Sequence, residues 1–237
     1  MCKHGMALSS IRILPAVFLS SFFYFSVNVS APADTIISVT GAIEGLALFI
    51  GGSFNQVLAS SWSTTQAYQN VQISASIGSL DPNFANGTAF LTSNIGPGTT
   101  PNDLIASASF VAPITSSYSQ PIANTTIFSN LFLNPGTYFL VLSGPPSSEN
   151  PLYWNDNGVV DIVLGTGVTA VEGVFFAFGA ANNTSFPPAS NFSFSDIDKL
   201  FFDVTAVPAP VISAGLPGLI LACGVLLVLT RRRKKIA

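Results

Sequence analysis

Apolar and polar residues alternate with a period of two through much of the chain, and the clearest case is residues 71–77. In that segment the apolar face is formed by Val71, Ile73, Ala75 and Ile77, with glutamine and serine residues between them. This alternation is typical of a half-buried strand. Similar patterns predict strands at residues 57–68, 88–95, 104–111, 127–133, 137–143, 159–164, 168–178 and 200–205. Because no stretch between residues 34 and 206 shows a sustained helical period with caps, we expect an all-β fold.

Turn residues separate these predicted strands. Asn134-Pro135-Gly136 lies between residues 127–133 and 137–143 and predicts a hairpin. Asn155-Asp156-Asn157-Gly158 predicts a further turn. Short strands with turns every ~8–12 residues are typical of sandwiches and barrels. We therefore expect residues 34–206 to form one antiparallel, jelly-roll-like β-sandwich.

Two apolar segments flank this region. Residues 211–230 carry no charge and would span about 30 Å as a helix, which is roughly one bilayer core. The basic residues that follow predict a cytoplasmic tail, with the preceding chain on the other side of the membrane. They are Arg231, Arg232, Arg233, Lys234 and Lys235. The pattern therefore predicts a single-pass transmembrane helix at 211–230.

The first 33 residues have the features of a signal peptide. Basic residues precede an apolar, aromatic run at residues 13–29. Ala31 and Ala33 then provide the small residues that signal peptidase reads, so cleavage is predicted before Asp34. The alternative is an uncleaved anchor. We thus divide the chain into a signal peptide (1–33), an extracytoplasmic domain (34–206) and a tail (207–237).

The tail resembles a known sorting signal. Val207-Pro208-Ala209-Pro210, a hydrophobic helix and an Arg-rich end follow one another, an order similar to the PEP-CTERM signal of exported bacterial proteins, in its Val-Pro-x-Pro variant. The resemblance implies recognition by a membrane protease of the exosortase type and an envelope, exopolysaccharide or biofilm setting. We expect Pro208 and Pro210 to hold the motif extended and unpaired beside the membrane. A plain single-pass anchor is the alternative.

The charge and composition of residues 34–206 exclude several functions. Eleven acidic residues and one basic residue, Lys199, give this region a net charge of −10, which disfavours nucleic acid as a partner. The same residues contain no His and no Cys. Nucleophilic triads and the usual zinc or iron ligand sets are therefore missing. We expect a non-enzymatic surface or matrix protein without a resident cofactor.

Carboxylates are the remaining chemical groups of interest. Glycoside hydrolysis would need a pair of them, drawn from Glu44, Glu149, Glu172, Asp156 and Asp161. Calcium would suit oxygen ligands, and the candidates are Asp156, Asn157, Asp196 and Asp198. Solvated surface charge is the favoured explanation for the glycosidase candidates, because their spacing gives no reason to pair any two of them. Turn chemistry explains Asp156 and Asn157 as well as calcium does.

Aromatic residues provide a second candidate surface, for sugar stacking. For Trp62 and Tyr138 core packing is the expected role, whereas Tyr153 and Trp154 are adjacent in a strand and one of them is expected to be exposed. Residues 135–142 with Tyr153-Trp154 also resemble strands of some carbohydrate-binding modules. The alternative function is therefore a carbohydrate-binding or weakly hydrolytic domain on a plain anchor, with polysaccharide as its partner.

Overall fold

The structure, a computed structural model, describes residues 34–41, 47–120, 122–146, 149, 152–157, 160–170, 173–179, 185–187 and 191–208. These residues form strands and two short 3-10 turns, Pro82–Phe84 and Pro101–Asp103, so the all-β prediction is confirmed for them. The described strands are β1 (Asp34–Thr40), β2 (Ala47–Phe49), β3 (Val57–Thr64), β4 (Tyr68–Ala75), β5 (Ile77–Ser79), β6 (Asn86–Thr92), β7 (Leu104–Val111), β8 (Thr125–Leu133), β9 (Gly136–Ser143), β10 (Leu152–Asn157), β11 (Asp161–Leu164), β12 (Val168–Ala170), β13 (Val174–Ala177), β14 (Ser193–Ser195), β15 (Lys199–Leu200) and β16 (Phe202–Pro208).

Three antiparallel sheets organise these strands. One has five strands in the order β11-β1-β16-β4-β8. A larger sheet has the order β14-β13-β3-β9-β6-β7, with β12 also paired to β3. In the smallest sheet β10 pairs with β2, β5 and β15. The two large sheets contribute to one core, an arrangement consistent with a β-sandwich.

The core lies between the two large sheets. Leu58, Trp62 and Leu140 of the larger sheet and Ile37 and Ile73 of the five-stranded sheet belong to one cluster and have no solvent exposure. Full burial of a large apolar side chain contributes about 1.5–3 kcal/mol each. The chain has no cysteine in this region, so this burial supplies most of the stability.

Trp62 and Tyr138 pack together inside this core. Their ring centroids lie 5.7 Å apart in a stacked arrangement, and both residues are buried. The expectation that they are core residues is therefore confirmed. The hydroxyl of Tyr138 donates to the backbone carbonyl of Asn134, and burial raises the pKa of this phenol.

The predicted hairpin around Asn134-Pro135-Gly136 is wrong. β8 and β9 are consecutive, but β8 pairs with β4 in the five-stranded sheet while β9 pairs with β3 and β6 in the larger one. The turn therefore carries the chain from one sheet to the other. β9 is covered on both faces, with Leu140 in the main core and Val141 in a second apolar cluster. Such a strand needs partners on both edges, which an isolated hairpin does not provide.

The predicted turn at Asn155-Asp156-Asn157 is also wrong, because these residues belong to β10. The backbone N–H of Asn155 donates to the carbonyl of Ser76 (2.9 Å), and its carbonyl accepts from the N–H of Phe201 (3.0 Å). Its side-chain amide donates to the hydroxyl of Ser76 at 3.0 Å. These bonds satisfy the backbone and the side-chain N–H groups of Asn155 in a buried strand, where local composition alone favours a turn.

The two ends of the described chain lie side by side. Asp34, at the start of β1, pairs with Ala206 of β16. Val207 and Pro208 continue β16 and pair with Gln69 and Tyr68 of β4. We call this end of the domain, where the first and the last described strands meet, the terminal end. The last strand extends two residues beyond the predicted boundary at residue 206.

Candidate functional site

The sorting motif is partly strand-paired in the structure. Val207 and Pro208 lie within β16, extended as predicted, but they are paired with β4, so the prediction of an unpaired motif is wrong for these two residues. A strand flanked by β1 and β4 gains ladder hydrogen bonds that a free tail would lack. Pro210 lies outside the described residues.

Several predicted features fall outside the described residues. These are the signal peptide with Ala31 and Ala33, Glu44, Glu172, the span at 211–230 and the basic residues 231–235. Within the part of the chain that the structure describes, no helix combines the length and apolar character that crossing a membrane requires. The signal peptide, the transmembrane helix and the basic tail therefore stay predictions.

Tyr153 and Trp154 are both buried, so the prediction that one of them is exposed for sugar stacking is wrong. Trp154 belongs to the main core cluster, and the ring of Tyr153 packs edge-on against Tyr118, with centroids 5.8 Å apart. The Tyr153 hydroxyl lies 2.7 Å from that of Thr115, and burial raises its pKa. The indole N–H of Trp154 donates to the Phe201 carbonyl at 2.8 Å.

Asp156 and Asp198 form a pair of carboxyl groups. Asp156 pairs with Leu200 across β10 and β15, which places Asp198 two residues along on the same face. The two side chains lie within hydrogen-bonding reach of each other. Asp156 is 2% exposed, and its Oδ1 has no hydrogen-bond partner among the described residues. The structure thus holds a buried acid beside a partly exposed one.

The environment of Asp156 favours its neutral form. Burial is the largest cause, followed by the charge of Asp198 and the hydrogen bond with it, and together they raise the pKa of Asp156 to about 7. Its own backbone N–H opposes this shift. Lys199 is the one Lys or Arg in the described segments, and its ammonium group donates to the Asp196 carbonyl (3.3 Å). The surroundings of Asp156 therefore favour its protonated form near neutral pH.

The structure places only two of the four predicted calcium ligands next to each other. Asp156 and Asp198 are neighbours, whereas Asp196 is exposed and the side chain of Asn157 lies outside the description. Among the described residues, no three His, Cys, Asp or Glu side chains form a group able to hold a metal ion. Calcium binding at these residues stays a prediction.

The described carboxylates do not have a glycosidase arrangement. Retaining enzymes separate their two carboxyl groups by about 5–5.5 Å around an open cleft. Asp156 and Asp198 are in hydrogen-bonding reach instead, and Asp156 is buried. Glu149 and Asp161 are exposed. The Asp156–Asp198 pair thus differs from a retaining glycosidase pair, and hydrolysis by other pairs of the candidates, including Glu44 and Glu172 outside the described residues, stays untested.

A groove of about 750 Å³, lined by both polar and apolar surface, lies at the end of the domain opposite the terminal end, and we call it the distal groove. Its polar residues come from β6, β7, β9 and two loops, and they are Asn83, Asn86, Thr88, Ser109, Ser143 and Ser185. Gly87, Gly144, Pro145 and Pro146 complete the lining. None of the described residues that line the groove carries a charged side chain, although the domain is strongly acidic. No local sequence pattern marks this site, because long-range strand pairing assembles it.

Strand register gives the position of the distal groove. Tyr68 pairs with both Pro208 and Leu133, so Leu133 lies at the terminal end. β9 begins three residues later, at Gly136, and therefore starts near that end. It ends at Ser143, about 23 Å away at ~3.3 Å per residue. The distal groove and the terminal end therefore lie at opposite ends of the strands.

No protein-family model matches this chain, and a search of curated proteins finds no significant similarity. The assignment of function therefore depends on the sequence patterns and on the geometry described above.

Proposed function

We propose that this chain is an exported cell-surface or extracellular-matrix protein, non-enzymatic, with an exosortase-type sorting signal at its C-terminus. Its partners would be the membrane, the protease and an envelope or exopolysaccharide polymer. The observation that carries the proposal is the pairing of Asp34 with Ala206. The predicted signal-peptidase site and the predicted sorting motif adjoin these two residues, so both membrane-directed segments join the domain at the same edge.

The proposed jelly-roll-like form of the sandwich agrees with the path of the chain. β3, β6, β7 and β9 lie in the larger sheet, while β4 and β8 lie in the five-stranded sheet. The chain thus crosses repeatedly between sheets, as Greek-key sandwiches do. This path explains why turn residues such as Asn134-Pro135 join strands of different sheets.

Mass spectrometry of the protein recovered from bacterial cells tests the proposal. Cells with an exosortase should yield a mature N-terminus at Asp34 and a C-terminus that lacks Arg231–Lys235. A matched strain without the protease should keep the C-terminal residues. Recovery of a chain that begins at residue 1 would contradict export through a cleaved signal. Identical C-termini in the two strains would leave the plain anchor as the correct assignment.

A double substitution, Pro208→Ala with Pro210→Ala, separates recognition from anchoring. We expect export to continue and the full-length form to stay in the membrane, because the proline pair fixes the backbone that the protease would read. The control is Pro101→Ala with Pro113→Ala, which changes two exposed prolines of the domain. If the first variant is processed like the wild type, the motif is not a sorting signal.

Carbohydrate binding is the second candidate function, and the distal groove is the observation that favours it. The groove is uncharged and lined by amide and hydroxyl groups, which are the groups that fix the orientation of a polar ligand. This function needs no protease and is compatible with a plain anchor. It differs from the sequence-based expectation, which placed sugar contacts on Tyr153 and Trp154.

A further inference from the structure

The distal groove offers hydrogen-bonding groups in fixed positions. The side-chain amide of Asn83 donates to the carboxylate of Asp81 at 2.9 Å, and its backbone N–H donates to the same oxygen at 2.8 Å. This fixes the orientation of the amide and leaves its Oδ1 as an acceptor. Thr88 and Ser109 are opposite each other in the β6–β7 pairing, so their hydroxyls share one face of the sheet.

Ser143 is the most informative residue of the groove. It has no solvent exposure, and its hydroxyl has no hydrogen-bond partner among the described residues. A buried hydroxyl without a partner costs about 1–3 kcal/mol, so such a group is often retained for a ligand or an ordered water. Ser143 lines the groove and pairs with Thr88, so its hydroxyl lies on the same face of the sheet as the hydroxyls of Thr88 and Ser109.

The walls of the groove are held in place by backbone contacts. The N–H of Gly52 donates to the carbonyl of Pro145 at 3.1 Å. Gly144 packs so closely that an added Cβ would lie 2.8 Å from Leu152 and 2.9 Å from the carbonyl oxygen of Ile50. A groove with a fixed wall loses little conformational entropy when it binds a ligand.

We propose that the distal groove binds a neutral, hydroxyl-rich ligand, and that its natural occupant is a short segment of an uncharged polysaccharide. The described lining disfavours an ionic ligand, since it offers no charged side chain to pair with phosphate, sulfate or carboxylate. Its volume of about 750 Å³ lies in the range of sites that hold drug-sized ligands, about 300–1,000 Å³. The inference rests on the second candidate function and names the site for it. The groove faces away from the end that would join the membrane, so an external polymer could reach it.

The test uses the protein as it is recovered from cells, whatever the state of its two ends. The probes are unbranched tetra- to hexasaccharides of glucose, mannose, galactose and N-acetylglucosamine, with oligogalacturonate as the charged comparison. We expect at least one neutral probe to bind with a millimolar or lower dissociation constant by calorimetry. The amide signals of Asn86, Thr88, Ser109 and Ser143 should shift in NMR spectra of the labelled protein.

Two substitutions on one strand locate the binding. Ser109→Trp fills the groove and should weaken binding at least about tenfold. Ser107→Trp is the matched control, because Ser107 is exposed on the same face of β7 but does not line the groove. Ser143→Ala should leave binding unchanged and should not lower stability, because the hydroxyl is fully enclosed and has no partner among the described residues.

Three results would overturn the inference. They are the absence of binding by every neutral probe, tighter binding of oligogalacturonate than of any neutral probe, and equal losses in Ser107→Trp and Ser109→Trp. None of them depends on where the chain is processed. A failure of the sorting assignment would instead appear only in the masses of the two ends, so the two failures are distinguishable.

Discussion

Replacing Asp156 with Asn should remove most of the pH dependence of stability from this protein. In the folded state the pKa of Asp156 is raised to about 7, from an ordinary value of 3.8, chiefly by burial. Below about pH 4 the group is protonated in both states, and above about pH 7 it is ionised in both. Between these limits the folded protein holds a proton that the unfolded chain releases. Rising pH therefore favours unfolding.

The magnitude follows from the size of the shift. A difference of about three pKa units corresponds to about 4 kcal/mol at 1.36 kcal/mol per unit, which is the upper limit for the loss of stability between about pH 4 and about pH 7. Asp156→Asn cannot ionise and should be more stable than the wild type at pH 8. Asp198→Asn should reduce the pH dependence without abolishing it, because burial, the largest cause, remains.

Urea denaturation followed by tryptophan fluorescence measures this effect, since Trp62 and Trp154 are both buried. Asp161→Asn is the control for removing a carboxylate from an exposed position. Free energies of unfolding should be compared at several pH values for the wild type and the three variants. Parallel curves for the wild type and Asp156→Asn would show that Asp156 is ionised in the folded protein, and the reasoning from its burial would fail.

Two further pairs of variants test the packing. Trp154→Phe should cost about 1–2 kcal/mol more than Trp62→Phe in urea denaturation, because the first indole N–H donates to a backbone carbonyl and the second has no partner among the described residues; equal losses would contradict this. Gly51→Ala should lower the melting temperature more than Gly96→Ala. Both residues have positive φ, but only at Gly51 would a Cβ lie 2.4 Å from the carbonyl oxygen of Pro145. A smaller loss at Gly51 would show that this loop shifts freely.

The alternation of residues predicted many of the described strands, but it missed β1 and β2, and its predicted strands at 57–68 and 168–178 each cover parts of two strands. In β4, Val71, Ile73 and Ala75 are buried and Gln72 is exposed, as the pattern indicates. Ser74, which the pattern placed on the polar face, is also buried. The period of two reports which residues share a face. It does not report whether the second face is covered by another part of the chain.

Partners across the sheets were not predictable from local sequence. Asn134-Pro135 has the composition of a hairpin turn, yet it joins strands of different sheets. Asn155 and Asp156 have the composition of a turn, yet Ser76 and Phe201 bond to Asn155 and keep it in a strand. Turn residues fix the local backbone. Whether the next strand pairs with the previous one as a hairpin or enters the other sheet depends on distant residues.

The same limit explains the outcome at the candidate sites. Tyr153 and Trp154 were expected to face opposite ways with one of them in solvent, but β10 has paired strands on both sides and both residues are buried. Asp156 and Asp198 were both identified from composition, and the register of β10 with β15 brings them together. The distal groove had no sequence signal, because its residues alternate with core residues on separate strands.

The position of β16 connects the folded domain to its proposed sorting signal. β16 is an interior strand, paired with β1 on one side and β4 on the other, and it contributes the buried residues Phe202 and Val204 to the core. Removal of an interior strand would leave two unpaired edges and an open core. A protease that leaves β16 intact must therefore cut the chain after Pro208. The segment that this protease recognises must either lie beyond Pro208 or be released from its pairing with β4. The strand pairing thus limits where a protease can act.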